Sequence, residues 1–242
     1  MNRRMIATGV CALVAPLLLA VPADAKVAPV LGGSATPTTA ACKGTALKPT
    51  AHNDAVRREG TLTDLVAKLQ ARTDPFNLNG AQISTLQGAN SAISALDNTI
   101  QSTCYPTIAA MRTDWQKMFD DYRVYWLRVP QSHAIEAADH LAEAQTKLTA
   151  VASKLAGYVG TNSQAQTDLA AMNQQLQAAA SKLGTPPTPG PSIAAITGLA
   201  PAADMTADTA ALQAAHADLI TARAALVAAR VDGQKVVADL TS

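Results

Sequence analysis

From Thr61 onward the apolar residues of this chain recur at spacings of three and four, the period of a helix with one buried stripe. Leu62, Leu65, Val66 and Leu69 predict a first helix over about 61–72, opened by the "TLTD" threonine three residues ahead of an acid. Asp74-Pro75 and Asn79-Gly80 bracket a loop. Leu86, Ile93 and Ile100 stand seven apart with Ala89 and Leu96 between them, so a second helix is expected over about 81–103. Pro106 suits the first turn of a third.

In that third segment Ile108, Met111, Trp115, Met118, Tyr122, Tyr125 and Val129 alternate steps of three and four, an unbroken a/d seam. Phe119 and Trp126 widen it at e, while Asp120, Asp121, Arg123 and Arg128 fall on its flanks or outer face as a solvated border. Beyond Pro130 the stripe resumes as Ala134, Ala137, Leu141, Ala144, Leu148, Val151, Leu155 and Tyr158, offset by two residues. Proline removes a backbone donor and crowds the carbonyl four residues back. One helix over about 106–159, kinked at Pro130, is therefore expected.

Gly157 and Gly160 close that helix, and "TNSQ" (161–164) reads as a capping box for the next. Its seam is Ala165, Leu169, Met172, Leu176, Ala179 and Leu183, with Gly184 just past its end. "TPPTPGPS" reads as a stiff connector, followed by a short amphipathic turn around Ile193, Ile196 and Leu199. The last helix, about 202–240, carries Met205, Leu212, Leu219, Leu226 and Leu240 at a, and Ala215, Ala222, Ala229 and Val236 at d. His216, Arg223 and Arg230 form one edge of that stripe; Asp204, Asp218, Asp232 and Asp239 form the other, the charge pattern that sets partner and orientation in bundles.

No run of β-branched residues alternates at period two, so no strand is predicted. The fold class is all-α: an elongated antiparallel helical bundle or coiled coil with a long proline-kinked central helix. Sub-bundles over about 60–130 and 131–242 would share that helix; a compact four-helix bundle broken at Pro130 is the alternative. Residues 26–50, rich in Pro, Thr and Ala without apolar period, are expected to form a flexible, disordered arm.

The N-terminus changes where this bundle belongs. Arg3 and Arg4, an apolar stretch over 5–21 and Ala23-Asp24-Ala25 have the order of a secretory signal peptide, 1–25, with cleavage near Ala25. The product is expected outside the cell or in its envelope. Without the leader, seventeen basic residues balance seventeen acidic ones. No Lys/Arg run supplies the footprint of nucleic-acid binding, and no remaining apolar run is long enough to span a bilayer. Cys11 leaves with the leader. Cys42 and Cys104 remain, and an oxidising compartment predicts a disulfide between them.

Candidate chemistry concentrates in "SHAIEAADH". His133, Glu136 and His140 lie three and seven residues apart on one helix flank, beside Asp139, and imidazole with carboxylate can bind a transition metal. The competing reading is a polar flank with a local Glu136–His140 pair. A di-iron centre needs two Glu-x-x-His motifs and two further glutamates. The chain has only Glu59, Glu136 and Glu143, and no such motif. Trp115, Tyr122, Tyr125 and Trp126 near His133 could line a haem pocket, but there is no Cys-x-x-Cys-His. A Gly-x-Ser-x-Gly turn and a glycine-rich phosphate loop are also absent. Neither a catalytic residue nor a cofactor is assigned.

The run "YRVYWLRVPQSHAIEAADHL", 122–141, resembles exported, alanine-rich helical proteins of bacteria with no assigned function. The resemblance implies the helical architecture and transfers no catalytic residue. The expected role is a non-enzymatic scaffold or partner-binding module, engaging a protein partner or a second copy through helical surfaces. The alternative is a small-ligand or metal carrier using the His133, Glu136, His140 flank beside the aromatics.

Overall fold

In the computed structural model, residues 42–201 and 205–241 are described. The expected signal peptide, and the expected arm up to residue 41, lie outside them. A 3₁₀ turn over Lys43–Leu47 leads into α1, Lys48–Gln70. The arm therefore ends before residue 50, and α1 begins thirteen residues ahead of the expected Thr61. Its first half is held by Ala51, Ala55 and Arg58, all buried, which continue into Leu62, Leu65 and Leu69 at helical spacing. Thr61 is not a cap; its hydroxyl donates to the Arg57 carbonyl in mid-helix (2.9 Å). Pro49 is the true opening signal, lying in the first turn where its missing N–H costs nothing.

Helix α2, Asn79–Ser102, packs antiparallel along α1. At one end His52 Nδ1 meets Asp97 Oδ2 (2.6 Å) and Lys48 Nζ donates to the Gln101 carbonyl (2.6 Å). At the other, the Asp74 carboxylate caps α2 by accepting from the Leu78 and Asn79 amides (2.7 and 2.9 Å). The Cys42–Cys104 disulfide forms as expected, with Cα atoms 5.1 Å apart, tying the start of α1 to the end of α2.

Helix α3 runs over Ile108–Asp120 and is capped by Thr107, whose hydroxyl accepts from the Ala110 amide (3.1 Å), so Pro106, expected in the first turn, lies just before the cap. Met111 and Met118 are fully buried and Trp115 is half-buried, so the expected seam holds over these three, while its first member, Ile108, is exposed. It then stops. The backbone turns at Asp121–Arg123, a π-helical turn occupies Val124–Arg128, and α4, Val129–Ala156, begins afresh. The continuous helix kinked at Pro130 is thus replaced by two helices broken seven residues earlier. Pro130 sits in the first turn of α4, a position that needs no backbone donor.

Helix α4 packs with α5, Ser163–Leu183, and α7, Thr206–Thr241. Its most buried line is Ile135, Ala138, Ala142 and Ala152, one residue past the expected register, with Leu155 as expected; Ala134, Ala137, Leu141, Ala144 and Leu148 are partly buried beside it, and Val151 and Tyr158 are exposed. The seams of α5 and α7 match expectation: Ala165, Leu169, Met172, Leu176, Ala179 and Leu183 are buried against Ala215, Leu219, Ala222, Leu226, Ala229 and Val236. Gly233 lets the two helices close up, since a Cβ there would lie 3.1 Å from Met172 Sδ. Asn162, not Thr161, caps α5 through its side-chain oxygen (3.1 Å to the Ala165 amide).

The proline-rich connector is a tight turn. Gly184–Thr185 and Thr188–Pro189 pair as two antiparallel two-residue strands, β1 and β2, around a cis Pro186–Pro187 bond. Gly184 takes φ 91°, and a Cβ there would collide with the Thr188 carbonyl. Helix α6, Pro191–Thr197, buries Ile193 and Ile196. Arg128, expected in solvent, is buried at the start of α4. Its Nη1 donates to the Leu199 carbonyl (3.0 Å) and Gln131 Nε2 to the Ile196 carbonyl (2.6 Å), satisfying the orphan acceptors at the end of α6. Gln82 Nε2 donates to Ser132 Oγ (3.0 Å), binding α2 to the same turn.

Candidate binding cleft at the helix break

The break is built from two uncommon backbone conformations in succession. Arg123 is left-handed (φ 43°, ψ 44°), a region disfavoured for a non-glycine residue by roughly 1–2 kcal/mol. The next turn is wound with five-residue spacing: the Arg128 amide reaches the Arg123 carbonyl (3.4 Å) and the Val129 amide the Val124 carbonyl. Such π turns concentrate at functional sites. Their effect here is directional. Val124 and Leu127 become fully buried, while Tyr125 and Trp126 turn outward, Trp126 to 76% exposure. The seam expected to hold both rings fails because the chain rewinds between them and Met118.

Around these rings lies a cleft of about 530 Å³, lined by Arg58, Phe119, Asp120, Arg123, Val124, Tyr125 and Trp126, with Met205 and Thr209 from α7. Phe119 is half-exposed rather than part of a packed stripe. Arg58, only 4% exposed, holds its guanidinium carbon 4.2 Å from the Phe119 ring centroid and 5.1 Å from that of Tyr125, a cation–π sandwich. Its Nε donates to buried Asp54 (3.2 Å), which also accepts from Trp115 Nε1 (3.3 Å). The rings are therefore pinned from α1, so the floor of the cleft is preorganised while its rim is open. Aromatic rings, arginine and methionine around a depression form the composition enriched in the energetic centres of protein interfaces.

The histidine flank lies elsewhere. His133 and His140 are both exposed, and Glu136 is already engaged: Oε1 accepts from Arg72 Nη2 (3.1 Å) and Oε2 lies 3.5 Å from His133 Nδ1. The local pair is thus His133–Glu136, not the expected Glu136–His140. Among the described residues no group of three His, Cys, Asp or Glu side chains is placed to hold a metal, so the structure does not gather His133, Glu136 and His140 into a ligand set. Three residues past Glu136, Asp139 is 2% exposed and neither carboxyl oxygen makes a well-formed hydrogen bond. Burial, then the neighbouring charges of Asp74 and Glu143, push its pKa up to about 7, and the Asn79 amide offsets only part of this.

The cleft had a signal in the chain. Val124-Tyr125-Trp126-Leu127 are four consecutive apolar residues, spanning most of a helical turn, so no single face could bury them all. Arg58 had none, because it lies between the expected arm, 26–50, and the expected first helix from Thr61, where no large apolar residues recur to mark a buried face. No protein-family model, no curated protein and no solved structure matches this chain.

Proposed function

We propose that this protein is an exported, non-enzymatic helical module, placed in the cell envelope or medium, that works by gripping a partner protein. Export rests on the leader-like N-terminus. The packing of α5 on α7 with a heptad seam supports a coiled-coil-like scaffold beneath the binding surface. The observation that carries the reading is the preorganised cleft: Tyr125 and Trp126 face outward at a backbone cost, and Arg58, fixed from another helix, packs on Phe119 and Tyr125 beneath them. A packed core has no use for that arrangement; an interface anchor does.

A photo-crosslinking residue at position 126, in the cells that make the protein, is expected to give one discrete polypeptide adduct. The same residue at exposed Ala150 should give none, and Tyr125→Ala should suppress the adduct while lowering thermal stability only slightly, through the lost ring contact with Arg58. Adducts of equal yield at both positions would refute the reading.

Carriage of a small ligand is the second reading, favoured by a cleft volume inside the range of small-molecule sites. Native mass spectrometry distinguishes it: a stoichiometric added mass lost in Trp126→Ala supports carriage in the cleft. Bound metal lost in His133→Ala and His140→Ala would support the metal version.

A further inference from the structure

Met205 and Thr209, which line the cleft, begin a second stripe on α7. It runs on through Gln213, His216, Ile220, Ala224, Val227 and Val231 at steps of three and four, on the side away from the buried Ala215, Leu219, Ala222 and Leu226. Its apolar part is exposed: Ile220 and Val227 at 57%, Val231 at 45%. Single exposed apolar residues are ordinary. Three β-branched ones in register are not, on a helix otherwise rich in alanine, because each has a lower helix propensity than the alanine it displaces. The face is continuous with the cleft and, from Met205 to Val231, is roughly 39 Å long at 1.5 Å per residue.

Charge identifies the occupant. Of the described aspartates of α7, Asp208 and Asp232 are buried, Asp218 is held by Lys182 (3.0 Å) and Ser192 (2.7 Å), and Asp239 is half-buried near the end of the helix, past the stripe. Arg223 and Arg230 are exposed beside the outer stripe and make no ion pair among the described residues. A second copy of the chain does not suit them. In either orientation the His216, Arg223 and Arg230 edge would meet itself or the edge carrying Lys235, and among the described residues α7 has no fully exposed acid to lie between them. We infer that the cleft and the outer face of α7 form one track for an amphipathic helix of a different protein, acidic along the edge facing Arg223 and Arg230, with one end seated among Tyr125, Trp126 and Met205. This deepens the partner-binding reading and rests on it.

The probes are two synthetic helical peptides with the same leucine–alanine seam, one with glutamate edges and one with lysine edges. Fluorescence anisotropy with the mature chain is expected to show the glutamate peptide binding at least about tenfold tighter, and weakening in high salt. Val227→Glu and Trp126→Ala should each weaken it by about tenfold or more, at unchanged helicity and melting temperature, because both positions face solvent. Equal affinity for the two peptides, or no binding, overturns the track. Loss in Trp126→Ala with Val227→Glu unaffected overturns the track and leaves the cleft reading standing. Loss in Val227→Glu alone overturns the cleft as its end. A dimer of the unmodified chain, or binding to anionic phospholipid vesicles, that Val227→Glu abolishes would show that another occupant fills this face.

Discussion

Asp139 is the residue whose environment has the sharpest consequence. A carboxyl group at 2% exposure without well-formed hydrogen bonds favours its neutral form, and its pKa of about 7 lies above the ordinary value of 3.8. The groups facing it are Asp74 and Asn79 from the α1–α2 turn and Glu143 one turn on in α4; both acids repel its charge. Below pH 3.8 folded and unfolded chains both hold this proton, so Asp139 has no effect on stability there. As pH rises from about 4 to 7 the unfolded chain releases the proton and the folded one keeps it, so the folded state loses ground; above 7 the penalty is constant. Three pKa units correspond to a penalty on the order of 4 kcal/mol, an upper value. Urea unfolding should therefore show stability falling between pH 4 and 7, with Asp139→Asn flattening that fall and exceeding the parent at pH 8. A parent curve that rises through this window would show that the carboxylate is charged in the fold. Nothing in the chain announced Asp139: it was noted as a neighbour of the histidines, whereas its burial comes from the α1–α2 turn closing over it.

At the scale of elements the helix break is the feature to test. Arg123→Gly removes the steric penalty of the left-handed conformation, and the extra freedom glycine brings to the unfolded chain offsets part of that gain, so stability should hold or rise by up to about 1 kcal/mol. Arg123→Val should cost more than about 1 kcal/mol, since a β-branched residue suits that region least. In a continuous helix the order would reverse, glycine being the worse of the two. Chemical denaturation of both variants decides it. Helices whose stripes carry Leu, Ile or Met every turn or two, α2 and α5, were legible to within about two residues, and alanine-rich α7 was legible through Leu219 and Leu226, because burial of such residues dictates one face. The first half of α1 was not, because its stripe is Ala51, Ala55 and Arg58, which look like a polar arm until Asp54 and two aromatic rings enclose the arginine. The break was misplaced for a related reason. Pro130 is the conspicuous residue, yet a proline two residues into a helix costs nothing, and the turn is set instead by the need to bury Val124 and Leu127 together.

Across the whole described fold, the α1–α2 pair and the α4–α5–α7 group share one hydrophobic core, and three side-chain polar contacts fasten the join: the Gln82–Ser132 hydrogen bond, the Arg72–Glu136 ion pair, and the Thr73 hydroxyl on Glu143. The Cys42–Cys104 disulfide lies entirely within the first of these. It closes a loop of 62 residues, so Cys42→Ser with Cys104→Ser should lower the stability of that pair by roughly 4 kcal/mol. Hydrogen exchange should then show α1 and α2 losing protection ahead of α5 and α7; uniform loss would mean that the molecule unfolds as one cooperative unit. Function, in this account, depends on the chain giving up a buried aromatic seam at the join between α3 and α4 in order to present one. The most direct measurement is the fluorescence of Trp115→Phe, which leaves Trp126 as the sole tryptophan. We expect emission close to that of tryptophan in water, quenched freely by acrylamide, and shifting to the blue when the glutamate-edged peptide binds. Blue-shifted, quencher-resistant emission from the unliganded protein would mean that Trp126 is packed inside a continuous helix seam, and that there is no outward cleft at all.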